Sequence, residues 1–334
     1  MFLKPDDYMI LMDLNDTPHT FIPGSHAVTL EDLKKVKDIG INTVMTLVFW
    51  NTIEPSMGKV DWKLTDTLLE KYRTADLRAL IVAPVFVPRD APDDYYLKYE
   101  NGTLEKDSFS IWNQEAMGLQ REFLEKMVAR YTAPDVQIVL GDFRGGEYLL
   151  PLEAAFYDTS ALASYGSRPD SRMADPCTVE WLKKSVIDHF LFMQEPLVKQ
   201  HNEIWDALHM AIAYWSRTTG NQFQADIHAA YHNKWPDVTV VLLQYTFMEH
   251  ILKEGYLGHI DNLKRMGARV IMEANYPSGL KDSTPMAISK GFSGQLCGPL
   301  HPEAPEKAYD RIKPEQLEAM ANSIRLWRND SNKA

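Results

Sequence analysis

The chain has 334 residues, 45% of them hydrophobic and 24% charged, with a net charge of −11. That composition suits a globular protein, and the acidic balance argues against a nucleic-acid partner or an anionic membrane surface, because both need a basic face. Cys177 and Cys297 lie too far apart for a metal-ligand spacing or a disulfide framework, so no metal, no cofactor and a reducing, cytoplasmic compartment are expected. The opening MFLKPDDYMILMDLND lacks a long apolar core and carries acids early, so neither a signal peptide nor a membrane span is expected.

In chain order, Tyr8–Leu14 predicts a strand. Thr29 then caps a helix that stops at Gly40. TVMTLVFW, residues Thr43–Trp50, is the unbroken apolar run of a parallel strand covered on both faces. A helix over Thr65–Ala75 precedes a third strand, Ala79–Val87, in which Pro84 marks a bulge or a strand end. A connection rich in Asp, Tyr and Pro runs from Pro88 to Ile111, and Gln114–Arg130 follows with helical spacing. Val136–Leu140 is the fourth strand. A long excursion reaches about Pro176, and a helix over Glu180–Gln200 carries Pro196 near its end. Strands over Ile204–Ile212, Val238–Leu243, Arg269–Met272 and Gly291–Cys297 alternate with helices over Asn221–His232 and Gly258–Met266, and Pro314 opens a last helix.

Eight strand–helix units without a linker, repeat or low-complexity tract predict a single (β/α)8 barrel, a TIM barrel, over residues 1–334 with long loops after strands 3 and 4. A doubly wound open sheet is the alternative, but no Gly-rich phosphate loop follows the first strand. A barrel places its chemistry at the C-terminal strand ends. The residues there are polar, carboxylate-rich and aromatic, which suits a polyhydroxylated ligand. Asp13, Trp50, Glu54, Arg144, His209, Gln244, Tyr245, Asn275, Tyr276 and Gln295 are the candidate substrate contacts. Glu147, after strand four, and Glu273, after strand seven, stand as the pair of carboxyls that glycosidic cleavage needs. One is protonated toward the leaving oxygen, and the other is ionised to attack the anomeric carbon or activate water.

The second unit, GINTVMTLVFWNTIEPSMGKVDW, resembles the W…EP…G…DW signature of the retaining glycoside hydrolases of clan A, such as the family 42 β-galactosidases, through Trp50, Glu54, Pro55, Gly58, Asp61 and Trp62. The resemblance implies an acid/base after strand four and a nucleophile after strand seven, the positions of Glu147 and Glu273. It also implies a tyrosine after strand six that steers the nucleophile, matched by Tyr245. The clan carries Asn directly before its acid/base; this chain has Gly146. GGEYLLP is similar instead to a stretch of the inverting family 14 β-amylases, so retention and inversion both stay open. The expected function is hydrolysis of an oligosaccharide or glycoconjugate. The alternatives are a barrel that binds carbohydrate without cleaving it and an isomerase or lyase on the same scaffold. The sequence leaves the sugar and the oligomeric state unknown.

Overall fold

The computed structural model describes residues 2–4, 6–13, 28–141, 156–169, 175–206, 220–245, 261, 263–274, 277–298 and 312–331, with the main chain alone at 84–85, 206, 220–225, 244–245 and 273–274. Its strands are β1 (Met9–Asp13), β2 (Thr43–Phe49), β3 (Arg78–Val85), β4 (Tyr96–Lys98), β5 (Leu104–Phe109), β6 (Val136–Leu140), β7 (Glu203–Asp206), β8 (Thr239–Tyr245), β9 (Arg269–Ala274) and β10 (Gly294–Cys297). Eight of them close a barrel in the order β1-β10-β9-β8-β7-β6-β3-β2, and β4 and β5 pair as a separate hairpin. Every pairing in the ring is parallel. The helices are α1 (Leu30–Asp38), α2 (Trp50–Ile53), α3 (Lys63–Thr74), α4 (Gln114–Arg130), α5 (Thr159–Tyr165), α6 (Pro176–His201), α7 (Gly220–Lys234), α8 (Leu280–Ser289) and α9 (Pro314–Ser331). This is the expected (β/α)8 architecture.

Strand alternation divides the core in two, because successive side chains point to opposite faces. Ile10, Met12, Met45, Leu47, Phe49, Leu80, Val82, Val139, Trp205, Leu243, Ile271 and Leu296 fill the inside of the ring. Leu11, Val44, Val48, Ile81, Ile138, Leu242, Val270 and Cys297 pack outward with the helices. The first residues of the chain seal the end where the strands begin. Phe2 N–H donates to Glu203 Oε1 at 2.6 Å, and Trp205 Nε1 donates to the other oxygen at 2.8 Å. Arg78 bonds both Phe2 O and Asp7.

Helix starts follow their capping residues. Thr29 accepts from Asp32 N–H as expected; Asn113 caps α4; Asp175 caps α6 ahead of Pro176 in the first turn. Helix α6 runs through Pro196 to His201 and ends on Asn202 in the left-handed region. Pro84 does lie in a register shift: β2 pairs with β3 through Leu47↔Val82 and then Phe49↔Val85, which leaves one extra residue on β3. The hairpin β4–β5 falls inside the connection Pro88–Ile111, whose composition predicts a loop. The described part of the fifth barrel strand ends at Asp206; residues 207–212 of the expected strand and residues 258–260 and 262 of the helix expected over 258–266 lie outside the described residues, while 261 and 263–265 are helical.

One buried group makes stability depend on pH. His189 of α6 is wholly buried, with Nδ1 2.9 Å from the Met117 sulfur of α4, and burial pushes its pKa down to about 3. The folded value lies below the ordinary one, so the unfolded chain alone takes up the proton between about pH 6.5 and pH 3. This contribution is fully present above pH 6.5 and is lost as pH falls. We expect His189→Gln to remove a slope of at most about 1.4 kcal/mol per pH unit from urea-unfolding free energies measured between pH 6.5 and 5. Equal slopes in the variant and the parent would refute this role.

Candidate active site

The face of each strand decides which sequence-selected residues reach the barrel mouth. Asp13 ends β1 on its outward face and is wholly buried. It accepts from Val28 N–H at 3.0 Å, Tyr72 Oη at 2.9 Å and Lys71 Nζ at 3.2 Å. Burial, and secondarily the Asp13 charge, push the Tyr72 phenol well above its usual range, so it stays a neutral donor. Asp13 therefore ties β1 to α3 and to the return of the chain at Val28. Gln295 of β10 also faces outward. Its Oε1 accepts from Thr284 of α8 and from Ser323 and Trp327 of α9, and its Nε2 donates to Ser283. Both were expected as sugar ligands; their side chains instead bond the helix layer.

Trp50 and Glu54 need the same correction. The Trp50 indole, 2% exposed, stacks on Phe123 of α4 at 4.6 Å and meets Phe109 edge-on at 5.6 Å. Its Nε1 donates to Glu54 Oε2 at 2.8 Å, while Glu54 Oε1 accepts Gly58 N–H at 2.5 Å. Gly58 takes φ +79, a conformation that glycine adopts without a Cβ clash. Asp61 N–H donates to Ile53 O at 2.6 Å, and Asp61 Oδ1 accepts from Lys63 N–H at the start of α3. Trp62 stacks on the same ring, Phe123, at 5.6 Å. Trp50, Glu54, Gly58, Asp61 and Trp62 thus form a corner that fastens the end of β2 to α3 and α4.

On β9, Glu273 takes the register position beside Tyr245 on β8 and Leu296 on β10, while Gln244 pairs with Met272 of the outer core. Arg144, Glu147, His209, Asn275 and Tyr276 lie outside the described residues. Of the long loop expected after strand 4, residues 142–155 and 170–174 lie outside them too. The rest carries α5, which docks on the hairpin through Tyr157 N–H to Lys98 O at 2.8 Å and Ser110 Oγ to Asp158 Oδ1 at 2.9 Å. A groove of about 630 Å³ opens between them, lined by Lys98, Tyr99, Glu100, Tyr157 and Arg168 among others.

The sequence reading did not single out the apolar floor. Phe49 of β2 and Phe86, just beyond β3, stack at 5.2 Å and 21° at the C-terminal end of the ring interior. Phe86 holds φ +53, which a bulky residue seldom adopts. Its carbonyl accepts Asn51 N–H at 2.9 Å. Pro84 was the one sequence signal for this irregular turn. Among the described residues no group of three or more His, Cys, Asp and Glu side chains is placed to hold a metal, and no helix is long and apolar enough to cross a membrane.

No sequence-family profile and no curated protein sequence matches the chain. In three dimensions it is similar to the catalytic domain of a β-amylase from Paenibacillus polymyxa, with a TM-score of 0.63 and 12% identity over 95% of this chain and 98% of that one. It is also similar to β-glycosidase BGL167, with a TM-score of 0.56 and 12% identity over 98% of each chain. A hyperthermophilic endocellulase from the archaeon Pyrococcus horikoshii gives 0.52 and 10% identity over 94% of this chain and 91% of that one. At such identities the likeness establishes the fold, a (β/α)8 barrel.

Proposed function

We propose that the protein is a glycoside hydrolase acting on an oligosaccharide or glycoconjugate, with Glu147 as general acid/base and Glu273 as nucleophile, or as base if the reaction inverts. The observation that carries this reading is the place of Glu273, on the seventh strand of the closed ring and in register with Tyr245 on the sixth. Ile271, two residues earlier, packs inside the barrel. Glu273 stands near the C-terminal end of its strand, where barrel enzymes gather their chemistry. Glu147 follows β6, the fourth barrel strand, so both carboxyls belong to loops or strand ends around one mouth. The β-amylase, β-glycosidase and endocellulase neighbours fit this class of chemistry at the level of fold. We retain Arg144, His209, Asn275 and Tyr276 as substrate contacts and Tyr245 as the group that orients Glu273. The clan A resemblance rests on β2, whereas Gly146 before Glu147 fits the β-amylase-like stretch.

Gly146 also favours a second reading, a barrel that binds carbohydrate without cleaving it. The test is a panel of 4-nitrophenyl glycosides in both anomeric forms, with the corresponding free sugars and disaccharides followed by saturation-transfer NMR. Release of nitrophenol from at least one glycoside is expected. Binding without release would select the second reading, and neither binding nor release would remove both.

A further inference from the structure

We propose that Asn51 is a substrate-binding residue of this site and that its side-chain carbonyl accepts a hydrogen bond from a sugar hydroxyl. The proposal rests on the glycoside hydrolase reading and adds to it a contact outside the signature.

Asn51 lies directly beyond β2, within α2, and is 9% exposed. Its Oδ1 is buried and meets no hydrogen-bond partner among the described residues. The next side chain, Thr52, leaves its Oγ1 buried in the same condition. A buried carbonyl without a donor costs about 1–3 kcal/mol, so a fold that keeps one at its functional end needs a reason. Thr43, Gln137 and Gln194 also carry such atoms, but they lie at the start of β2, inside β6 and within α6. Asn51 instead stands at the C-terminal ends of β2 and β3, the face where a barrel binds its substrate.

The backbone around Asn51 is irregular at the same point. The extra residue in β3 brings the chain into Phe86, whose positive φ turns its carbonyl onto Asn51 N–H at 2.9 Å. This bond fixes the Asn51 main chain while leaving its side-chain oxygen without a partner among the described residues. Bulges and strained residues of this kind re-aim side chains beside active sites. Next to Asn51, the stacked Phe49 and Phe86 rings form a buried apolar wall, and a sugar presents both C–H faces and hydroxyl donors. The neighbouring donor has no spare capacity, since Trp50 Nε1 is already committed to Glu54. A hydroxyl from the ligand completes the set.

The test compares the parent with Asn51→Leu, which keeps the shape and removes the acceptor, and with Asn51→Ala in case the leucine disturbs packing. The substrate is whichever 4-nitrophenyl glycoside the parent cleaves fastest, together with its monodeoxy analogues. A fall in kcat/KM of about ten- to a hundred-fold is expected in both variants, with an unchanged or raised melting temperature. One monodeoxy analogue should be as poor for the parent as for the variants, which identifies the hydroxyl. Parent-like kcat/KM in both variants overturns the Asn51 assignment and leaves the hydrolase reading intact. So does a loss of activity that comes only with a lowered melting temperature. A parent that neither cleaves any glycoside nor binds the free sugars overturns both.

Discussion

Replacing Glu147 or Glu273 by Gln is expected to lower kcat on an aryl glycoside by about a hundred-fold or more while free-sugar binding persists. Gln keeps the shape of each side chain and removes its capacity to carry or release a proton. The two variants should then differ. A glycoside with an acidic leaving group, such as a 2,4-dinitrophenyl glycoside, needs little protonation at its leaving oxygen. It should recover much of the rate for Glu147→Gln and little for Glu273→Gln, because the acid is dispensable for such a substrate and the second carboxylate is not. NMR of the first-formed sugar anomer assigns retention or inversion. A retaining enzyme holds its carboxyls about 5–5.5 Å apart and an inverting one about 6.5–9.5 Å apart. Parent-like turnover in both Gln variants would sink the assignment.

Phe123→Ala should be the most damaging of the simple core truncations around the signature, lowering the unfolding free energy by about 3–5 kcal/mol. Phe123 is 2% exposed and stacks within 18° of parallel on both Trp50 and Trp62. Arg130 lies 5.9 Å from the Trp62 ring, and Tyr131 meets that ring edge-on. Removing the phenyl ring opens a cavity between two indoles that are held in place from other directions, Trp50 by Glu54 and Trp62 by the start of α3. The corner has little room to collapse, so the loss should fall at the upper end for a Phe truncation and consume much of the usual 5–15 kcal/mol of a folded protein. Urea denaturation followed by tryptophan fluorescence measures it. A loss below about 1 kcal/mol would mean that the signature corner is not a brace.

The candidate site was only partly legible. Strand ends are easy to find in a chain of apolar runs, so Asp13, Trp50, Glu54 and Gln295 were rightly placed along the sequence and wrongly aimed. Asp13 and Gln295 lie on outward faces, where α3, α8 and α9 take up their hydrogen bonds. The alternation of Ile10 and Met12 against Leu11 carries that information, but an unbroken apolar run hides which set faces inward until the ring closes. The hairpin β4–β5 had a local signal, Asn101-Gly102, with Gly102 at φ +88 and Asn101 Oδ1 accepting from Thr103 N–H. Acid-rich loop composition around it masked the strands.

The eight-fold alternation, the cap at Thr29, the strand Val136–Leu140 and the helix Gln114–Arg130 follow from the sequence alone, because apolar period and capping chemistry act over a few residues. The order of Glu147 after the fourth strand and Glu273 on the seventh is likewise a matter of counting. Tertiary structure decided the direction of each side chain. It turned the W…EP…G…DW stretch into a corner packed on Phe123, stacked Phe49 on Phe86 inside the ring, and left the Asn51 carbonyl beside them without a donor among the described residues. These features depend on strands far apart in the chain meeting around a closed barrel, and no local pattern encodes which face of a strand that closure turns inward.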